Sequence, residues 1–576
     1  MQREFRGLGA SSGIALGPAL VWRPVQPASA AVRAAGSPEE ETVRLQAARQ
    51  AAEEELAELR DRAEREMGGE EAAIFSAHLL MLSDPALMGE AEELVRQGLS
   101  AEAAVEQATE RQAALLAALP DAYLAERAAD VRDVGGRLLA HLQDRRRPEP
   151  RLEQPAVVVA RDLTPSQTAR LPKDLLLGIV TEAGGPTSHV AIMARALGIP
   201  VVVGVPGIVD ATNSGDVVAL DGDTGEVAVR PADEELARWR RRQELLEADR
   251  RRLAGLASRP AVTADGHPVS LLANISTPAD VARALEMGAQ GVGLFRTEFL
   301  YMDRDDAPGE DEQYLAYREV IERCAPHPVT IRTLDVGGDK QLPYLGLKRE
   351  MNPFLGWRAL RYCLDAPDVF RTQLRALLRA AAGGPGEAAR VGIMFPFVVS
   401  LEEIRRAKAQ VELARRELEA RGAPHAGPVK IGIMVETPAA ALMAGRLARE
   451  VDFFSIGSND LTQYTLAADR HNEHVAQIFD ELHPAVLRLI EATIRAADRA
   501  GIEVSLCGEL AGDARAAPLL LGLGLRKFSA AAPSLPRLKE KISATTLEEA
   551  RGLARRALQA ASAEEVRALL SGHDGE

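Results

Sequence analysis

The feature that most restricts the fold is a repeating order of secondary-structure signals in the second half of the chain. Eight strand-like runs, at 269–274, 291–296, 329–334, 391–397, 430–436, 453–457, 503–507 and 527–530, are separated mostly by helical stretches. Eight strands alternating with helices predict a (β/α)8 barrel of TIM type. In such barrels chemistry is carried by the C-terminal ends of the strands and the loops that follow.

Those ends are polar in a consistent way. The second run ends in Arg296, and the third carries Arg332 near its end. The fifth ends in Glu436, the sixth is followed by Asn459 and Asp460, and the seventh ends in Cys507. One such residue is ordinarily a satisfied core or loop group; a set from five strands points to a site. Arginine offers a planar, permanently charged fork that suits phosphate or carboxylate. Glu436 and Asp460 follow adjacent strands, so they can share one hard cation such as Mg²⁺, or form a buried ion pair with the arginines. Arg470, ten residues after Asp460 and expected in the next helix or its entry, is a further clamp. Cys507 is either a proton donor or inert packing.

The first half is organised differently. Residues 1–36 hold two short strand-like runs. Ser37-Pro38-Glu39-Glu40 has the form of a capping box with proline at the first helical position. From there to about residue 147 the chain is rich in Ala, Leu, Glu and Arg with helical period, as in Ile74, Phe75, His78, Leu79 and Leu82. These are packed helices, either a structural bundle or a protein-docking surface. Strand-like runs at 156–159, 175–181, 201–203, 217–220 and 226–229 form a small α/β region around His189, with the helical stretch 37–147 inserted between its first strands and the rest. Residues 231–257 read as a charged helix, polar on most faces, either of the kind that bridges domains or a solvated surface helix of the barrel.

Within the α/β region lies Gly184-Gly185-Pro186-Thr187-Ser188-His189. The glycines and proline make a loop, Ser188 is a helix cap, and Pro200 prevents continuation of the helix. His189 therefore stands in the first helical turn, where free N–H groups and the helix dipole favour an anion; it is either an ordinary capping-loop histidine or a carrier of a phosphoryl group.

A chain of 576 residues exceeds a single core and predicts about three domains. With 46% hydrophobic and 27% charged residues it is globular. A formal net charge of −15 argues against nucleic acid and anionic membrane as partners. Three cysteines without metal-type spacing, no membrane-length apolar run and no signal-peptide core at Met1–Arg6 predict a cytoplasmic protein without disulfides.

Taken together, these stretches resemble the enzyme I family of the bacterial sugar phosphotransferase system, the phosphoenolpyruvate–protein phosphotransferases. Residues 184–195 match its phosphohistidine signature and 452–464 its barrel signature. Leu294-Phe295-Arg296-Thr297-Glu298, Arg332-Thr333-Leu334-Asp335, Asn352-Pro353-Phe354-Leu355-Gly356-Trp357-Arg358 and Cys507-Gly508-Glu509 match as well. The resemblance implies His189 as the phosphorylated histidine and Arg296, Arg332, Asn459 and Arg470 as phosphoenolpyruvate ligands, with Asp460 and Arg358 lining the site. It implies Mg²⁺ on Glu436 and Asp460, Cys507 as proton donor, and a homodimer through the barrel. The implied domains are an α/β phosphohistidine domain (1–36 and 148–230), a helical subdomain docking the phosphocarrier protein HPr (37–147), a helical linker (231–258) and the barrel (259–576). The chain departs from the family pattern at Pro186, Val190 and Phe397. A pyruvate-phosphate dikinase or phosphoenolpyruvate synthase shares the histidine domain and barrel but needs a nucleotide-grasp domain for which there is no room. A catalytically idle regulator is disfavoured by the intact Arg, Glu, Asp and Cys set.

Overall fold

The computed structural model describes residues 3–23, 36–66, 69–118, 122–143, 152–185, 188–302, 304, 306–338, 342–347, 350–383, 386, 388–472 and 474–573. Two compact units divide the chain, residues 1–249 and 250–576.

The first unit is built on one eight-stranded sheet. Its opening strands are β1 (Arg3–Arg6), β2 (Leu8–Ser11) and β3 (Ile14–Trp22). Three strands form where the sequence suggested two runs, because Gly13 (φ 127°) turns the chain between β2 and β3 in a conformation that side chains rarely adopt. Five helices follow: α1 (Pro38–Glu66), α2 (Gly69–Met81), α3 (Glu90–Arg96), α4 (Ala101–Ala117) and α5 (Ala122–Leu142). The expected capping box opens α1: Ser37 N–H donates to Glu40 Oε2 (3.1 Å) and Glu40 N–H to Ser37 Oγ (3.3 Å). Asp84 caps the next start, accepting from Ala86 N–H at 2.8 Å. Leu45, Leu56, Phe75, Leu82, Val105, Val134 and Leu138 fill the helical core.

The sheet resumes with β4 (Ala156–Ala160), α6 (Pro165–Arg170), β5 (Leu176–Thr181), α7 (His189–Leu197), β6 (Val201–Val203), α8 (Ile208–Ala211), β7 (Val217–Asp221) and β8 (Glu226–Val229). Strand order is β1-β8-β7-β3-β4-β5-β6-β2, with β3 to β6 parallel and the flanking pairs antiparallel. Helix α7 is apolar on two sides. Val190, Ala191, Ala194 and Leu197 face the sheet, while Met193 enters the core of the inserted helices. Val190 is thus a core residue, which accounts for its apolar character.

The charged stretch forms α9 (Asp233–Ala254). It is less polar in effect than its composition suggests. Trp239 is buried against Ala219, Ala228, Ile14 and Leu16 of the sheet, and Arg242 covers the indole at 4.7 Å while pairing with Asp221 and Glu226. The first half of the helix therefore belongs to the first unit.

The second unit is a closed, all-parallel barrel of β9 (Ser270–Ile275), β10 (Val292–Phe295), β11 (Val329–Arg332), β12 (Val391–Phe395), β13 (Lys430–Val435), β14 (Phe453–Ile456), β15 (Glu503–Leu506) and β16 (Lys527–Ala531). Helices pack around it over one continuous apolar core. Pairing is uneven: β16 and β9 share five register positions, whereas β15 and β16 share one, Leu506 with Phe528.

Candidate active site

Eight of the nine residues singled out in the sequence meet at the C-terminal mouth of the barrel. Arg296, Arg332, Arg358, Glu436, Asn459, Asp460, Arg470 and Cys507 line one open cavity of about 300 Å³. Leu294, Met394 and Met434 pack with Cys507 as an apolar floor. Arg296, Arg332, Glu436, Asn459, Asp460 and Cys507 stand at or just after strand ends, so the rigid barrel fixes their spacing, whereas Arg358 and Arg470 come from the loops beyond.

Buried ion pairs hold the arginines. Arg332 pairs with Glu298 and, at 2.9 Å, with Asp335. Arg358 Nη2 donates to Asp335 and to Asp460, each at 3.0 Å, and its Nη1 to Tyr464 Oη at 3.0 Å. Arg332, Asp335, Arg358, Glu436 and Asp460 are each 7% exposed or less. Burial works against both arginine charges, yet the carboxylates around them keep Arg332 and Arg358 protonated well above the usual range. Arg470 lies in a turn after the helix Ser458–Leu466 rather than in a helix, with Nη1 3.2 Å from Asp460 Oδ1. Arg296 is exposed, and its side chain makes no hydrogen bond or ion pair among the described residues. The mouth thus presents one accessible arginine fork beside several that are already oriented.

Glu436 and Asp460 have the character of a cation site. Burial, and then the charges of Asp460 and Asp335, push the Glu436 carboxyl up to about 8 against the pull of Arg332 and Arg358. Its Oε2 lies where a Cβ at Gly457 would approach to 2.9 Å, so that glycine makes room for it. Two crowded carboxylates of this kind fit a hard divalent ion that takes its remaining ligands from water and substrate. Among the described residues no group of three or more His, Cys, Asp or Glu side chains forms a metal cluster, so the protein would supply two ligands rather than a cage.

Phe397 joins the same wall. Its φ of 58° is a strained value for a bulky residue. Its N–H donates to Glu436 Oε1 at 2.6 Å, and its ring lies 4.5 Å from the Arg358 guanidinium. Asn459 is locked to the next loop: Nδ2 donates to Glu509 Oε1 at 3.0 Å, and Oδ1 accepts from Glu509 N–H at 2.7 Å. Cys507 is buried, with Sγ 3.6 Å from the Ile456 carbonyl; burial first, and Glu436 next, raise its thiol pKa.

His189 forms its own cluster in the first unit. It is the first residue of α7, with Ser188 at the cap position, but the Ser188 hydroxyl makes no capping bond. Pro186 and Thr187 lie outside the described residues. His189 Nδ1 stands 3.8 Å from Asp130 Oδ1, which lies 3.2 Å from His78 Nε2. Beside them Arg137 Nη2 donates to Ser166 Oγ (2.6 Å), which donates to Asp133 Oδ2 (2.7 Å). The imidazole is partly exposed while its neighbours are buried. This leaves a partly exposed ring beside a fixed polar wall at a helix N-terminus.

Several of these groups escaped the sequence reading. Glu298 and Tyr464 meet their arginines only by contact between elements distant in sequence, as Asp335 meets Arg358. An Asp three residues after Arg332 was the one local hint. His78 and Asp130 were hidden in helical patterns, although a histidine on the apolar face of α2 is itself a signal of a buried polar network.

Comparison with known proteins agrees with this layout. The profile of the PEP-utilising enzyme, PEP-binding domain covers residues 250–547, that of the PEP-utilising enzyme, N-terminal covers 6–127, and that of the PEP-utilising enzyme, mobile domain covers 152–225. A phosphoenolpyruvate-protein phosphotransferase of Staphylococcus carnosus is 44% identical over 569 residues, 98% of each chain. That of Geobacillus stearothermophilus is 46% identical over 568 residues, 98% of this chain and 97% of its own. A solved structure described as the NMR solution structure of Enzyme I (nEIt) is 38% identical, covering 42% of this chain and 99% of its own with a TM-score of 0.36. With identity of this order over nearly the full length, and all three domain profiles in sequence, the chain belongs to the phosphoenolpyruvate–protein phosphotransferase (enzyme I) family.

Proposed function

We propose that this chain moves the phosphoryl group of phosphoenolpyruvate onto His189 and from there to a histidine of the phosphocarrier protein HPr, releasing pyruvate as the entry step of a sugar phosphotransferase system. The observation that carries the reading is the convergence, in one cavity at the barrel mouth, of arginine forks, two crowded carboxylates and a buried thiol. Arg296, Arg332, Arg470 and Asn459 bind phosphate and carboxylate oxygens, and Arg358 lines the site and braces Asp460. Glu436 and Asp460 would hold Mg²⁺, which when bound supplies neutralising charge to the substrate oxygens. A ring nitrogen of His189 takes the phosphorus as the bond from phosphorus to the enol oxygen breaks. The enolate accepts a proton at its methylene carbon from Cys507 and leaves as pyruvate.

In this reading residues 1–36 with 148–230 are the phosphohistidine domain, 37–147 dock HPr, 231–258 are the linker and 259–576 bind phosphoenolpyruvate and dimerise. Exposed Leu80, Leu115 and Val43 on the helices, and Leu442 and Met443 on the barrel, supply apolar surface for the two kinds of partner. A cytoplasmic location is consistent with the finding that no helix among the described residues is long and apolar enough to cross a membrane. Incubation with phosphoenolpyruvate, Mg²⁺ and HPr, followed by intact mass, tests the reading. Both proteins should gain one phosphoryl mass, and His189→Ala should lose the gain on both while still binding phosphoenolpyruvate. Acid-labile phosphate on the variant would refute the assignment.

A further inference from the structure

Cys507 must meet the substrate in a defined orientation, yet its strand is thinly paired on one side. β15 shares only one register position with β16. Its N–H is fixed to the Ile456 carbonyl on the β14 side at 2.9 Å. On the other side the backbone bond is replaced by a side chain. Asn274, near the end of β9, reaches past β16 and donates from Nδ2 to the Cys507 carbonyl at 3.0 Å. Its amide is oriented in turn: the buried Ser529 hydroxyl on β16 donates to Asn274 Oδ1 at 2.6 Å. Room for that hydroxyl comes from Gly293 on β10, where a Cβ would stand 2.3 Å from Ser529 Oγ. Asn274 and Cys507 also share the wall of a second cavity beside the first.

We propose that Asn274, with its amide set by Ser529, is a positioning residue for Cys507: it clamps the cysteine carbonyl across the weak seam and thereby aims the thiol at the enolate. The proposal rests on the reading of Cys507 as proton donor. The direction of the two hydrogen bonds makes it specific. Because the Cys507 carbonyl can only accept, Nδ2 must face it, and Oδ1 is left to accept from the Ser529 hydroxyl. An aspartate in this place would set a second acceptor against that carbonyl oxygen, and a leucine would leave it without a donor.

The test uses the full chain with phosphoenolpyruvate and Mg²⁺, following pyruvate. Misplacing a general acid by a fraction of an ångström to one ångström should lower turnover about tenfold to a hundredfold in Asn274→Asp and Asn274→Leu. The apparent affinity for phosphoenolpyruvate should stay within about twofold, since a proton donor acts on the leaving enolate. Ser529→Ala, which loses only the orienting hydroxyl, should show a smaller fall of the same kind, and it carries the test if neither Asn274 variant folds. Phosphate exchange between His189 and phospho-HPr serves as the control for folding and should not change. In a Cys507→Ala background the Asn274 and Ser529 changes should cost nothing further, because a positioning residue has nothing left to position. Equal losses with and without Cys507 would overturn the proposal, as would full turnover in the Asn274 variants. Full turnover in Cys507→Ala alone would instead remove the donor reading, and this proposal with it.

Discussion

Gly508→Ala should disable the barrel site while leaving the fold largely intact. The glycine has φ −72°, a value open to any residue, so backbone freedom is not the reason for it. Space is. A Cβ there would stand 1.8 Å from Ser458 Oγ, 2.6 Å from Asn459 Oδ1 and 2.7 Å from the Ser458 backbone nitrogen, where contacts under 3.0 Å essentially never occur. Rotation of Ser458 would clear its hydroxyl, but the backbone nitrogen cannot rotate away. One of the two loops must retreat, and a displacement approaching about 1 Å at a reacting geometry costs on the order of a hundredfold in rate. The stability cost of such overpacking is about 1–3 kcal/mol. The retreat separates Asn459 from Glu509 and from Cys507, so both phosphate binding and protonation suffer. Pyruvate release should therefore fall about a hundredfold, with a moderate loss of melting temperature and unaltered exchange between His189 and phospho-HPr. Wild-type turnover in a folded Gly508→Ala variant would mean that the loops have slack, and the contact-based account of the site would be wrong.

Glu436→Gln and Asp460→Asn should each shift Mg²⁺ titrations to higher concentration and cut turnover steeply; unchanged titrations in both would make the carboxylates structural. Glu55 lies against Arg137, Arg170 and His141, and although burial opposes its charge these partners lower its pKa. Its stabilising effect is then complete above the unfolded carboxylate value and lost as pH falls through the lower folded one. Denaturant unfolding of the first unit should fall less steeply below about pH 4 in Glu55→Gln than in the parent. A fragment of residues 1–257 should fold, exchange phosphate with phospho-HPr and fail with phosphoenolpyruvate, since His189 lies in it and the arginines do not; phosphorylation of the fragment by phosphoenolpyruvate would refute that division.

Much of this was legible in the chain. The eight barrel strands stand within a few residues of their apolar runs, because long-period alternation with helices leaves few other packings. Arg296, Arg332, the two carboxylates and the cysteine were legible because a barrel gathers its strand ends, whereas Arg358 was implied only by the family resemblance. What stayed hidden depends on contacts between elements distant in sequence. Asp335 reads as an ordinary loop aspartate until Arg358 arrives beside it. Trp239 looks like a stray aromatic on a charged helix until the sheet supplies Ala219 and Ala228 to cover it. Ser188 shows the converse, since the cap position was foreseen but its hydroxyl is not used.

The five inserted helices stand between β3 and β4, which are parallel neighbours with Trp22 opposite Ala160. A tight turn cannot join two such strands; the chain has to travel back along the sheet, which takes a dozen residues or more. The helices are therefore the obligatory return path of the sheet, enlarged, and not an appendage that could be trimmed flush. A graft that exchanged them for another bundle would keep the sheet intact provided that the new segment spanned the same return. Such a graft would also have to rebuild the Asp130 and His78 wall beside His189 and the packing around Met193, because the inserted helices supply both.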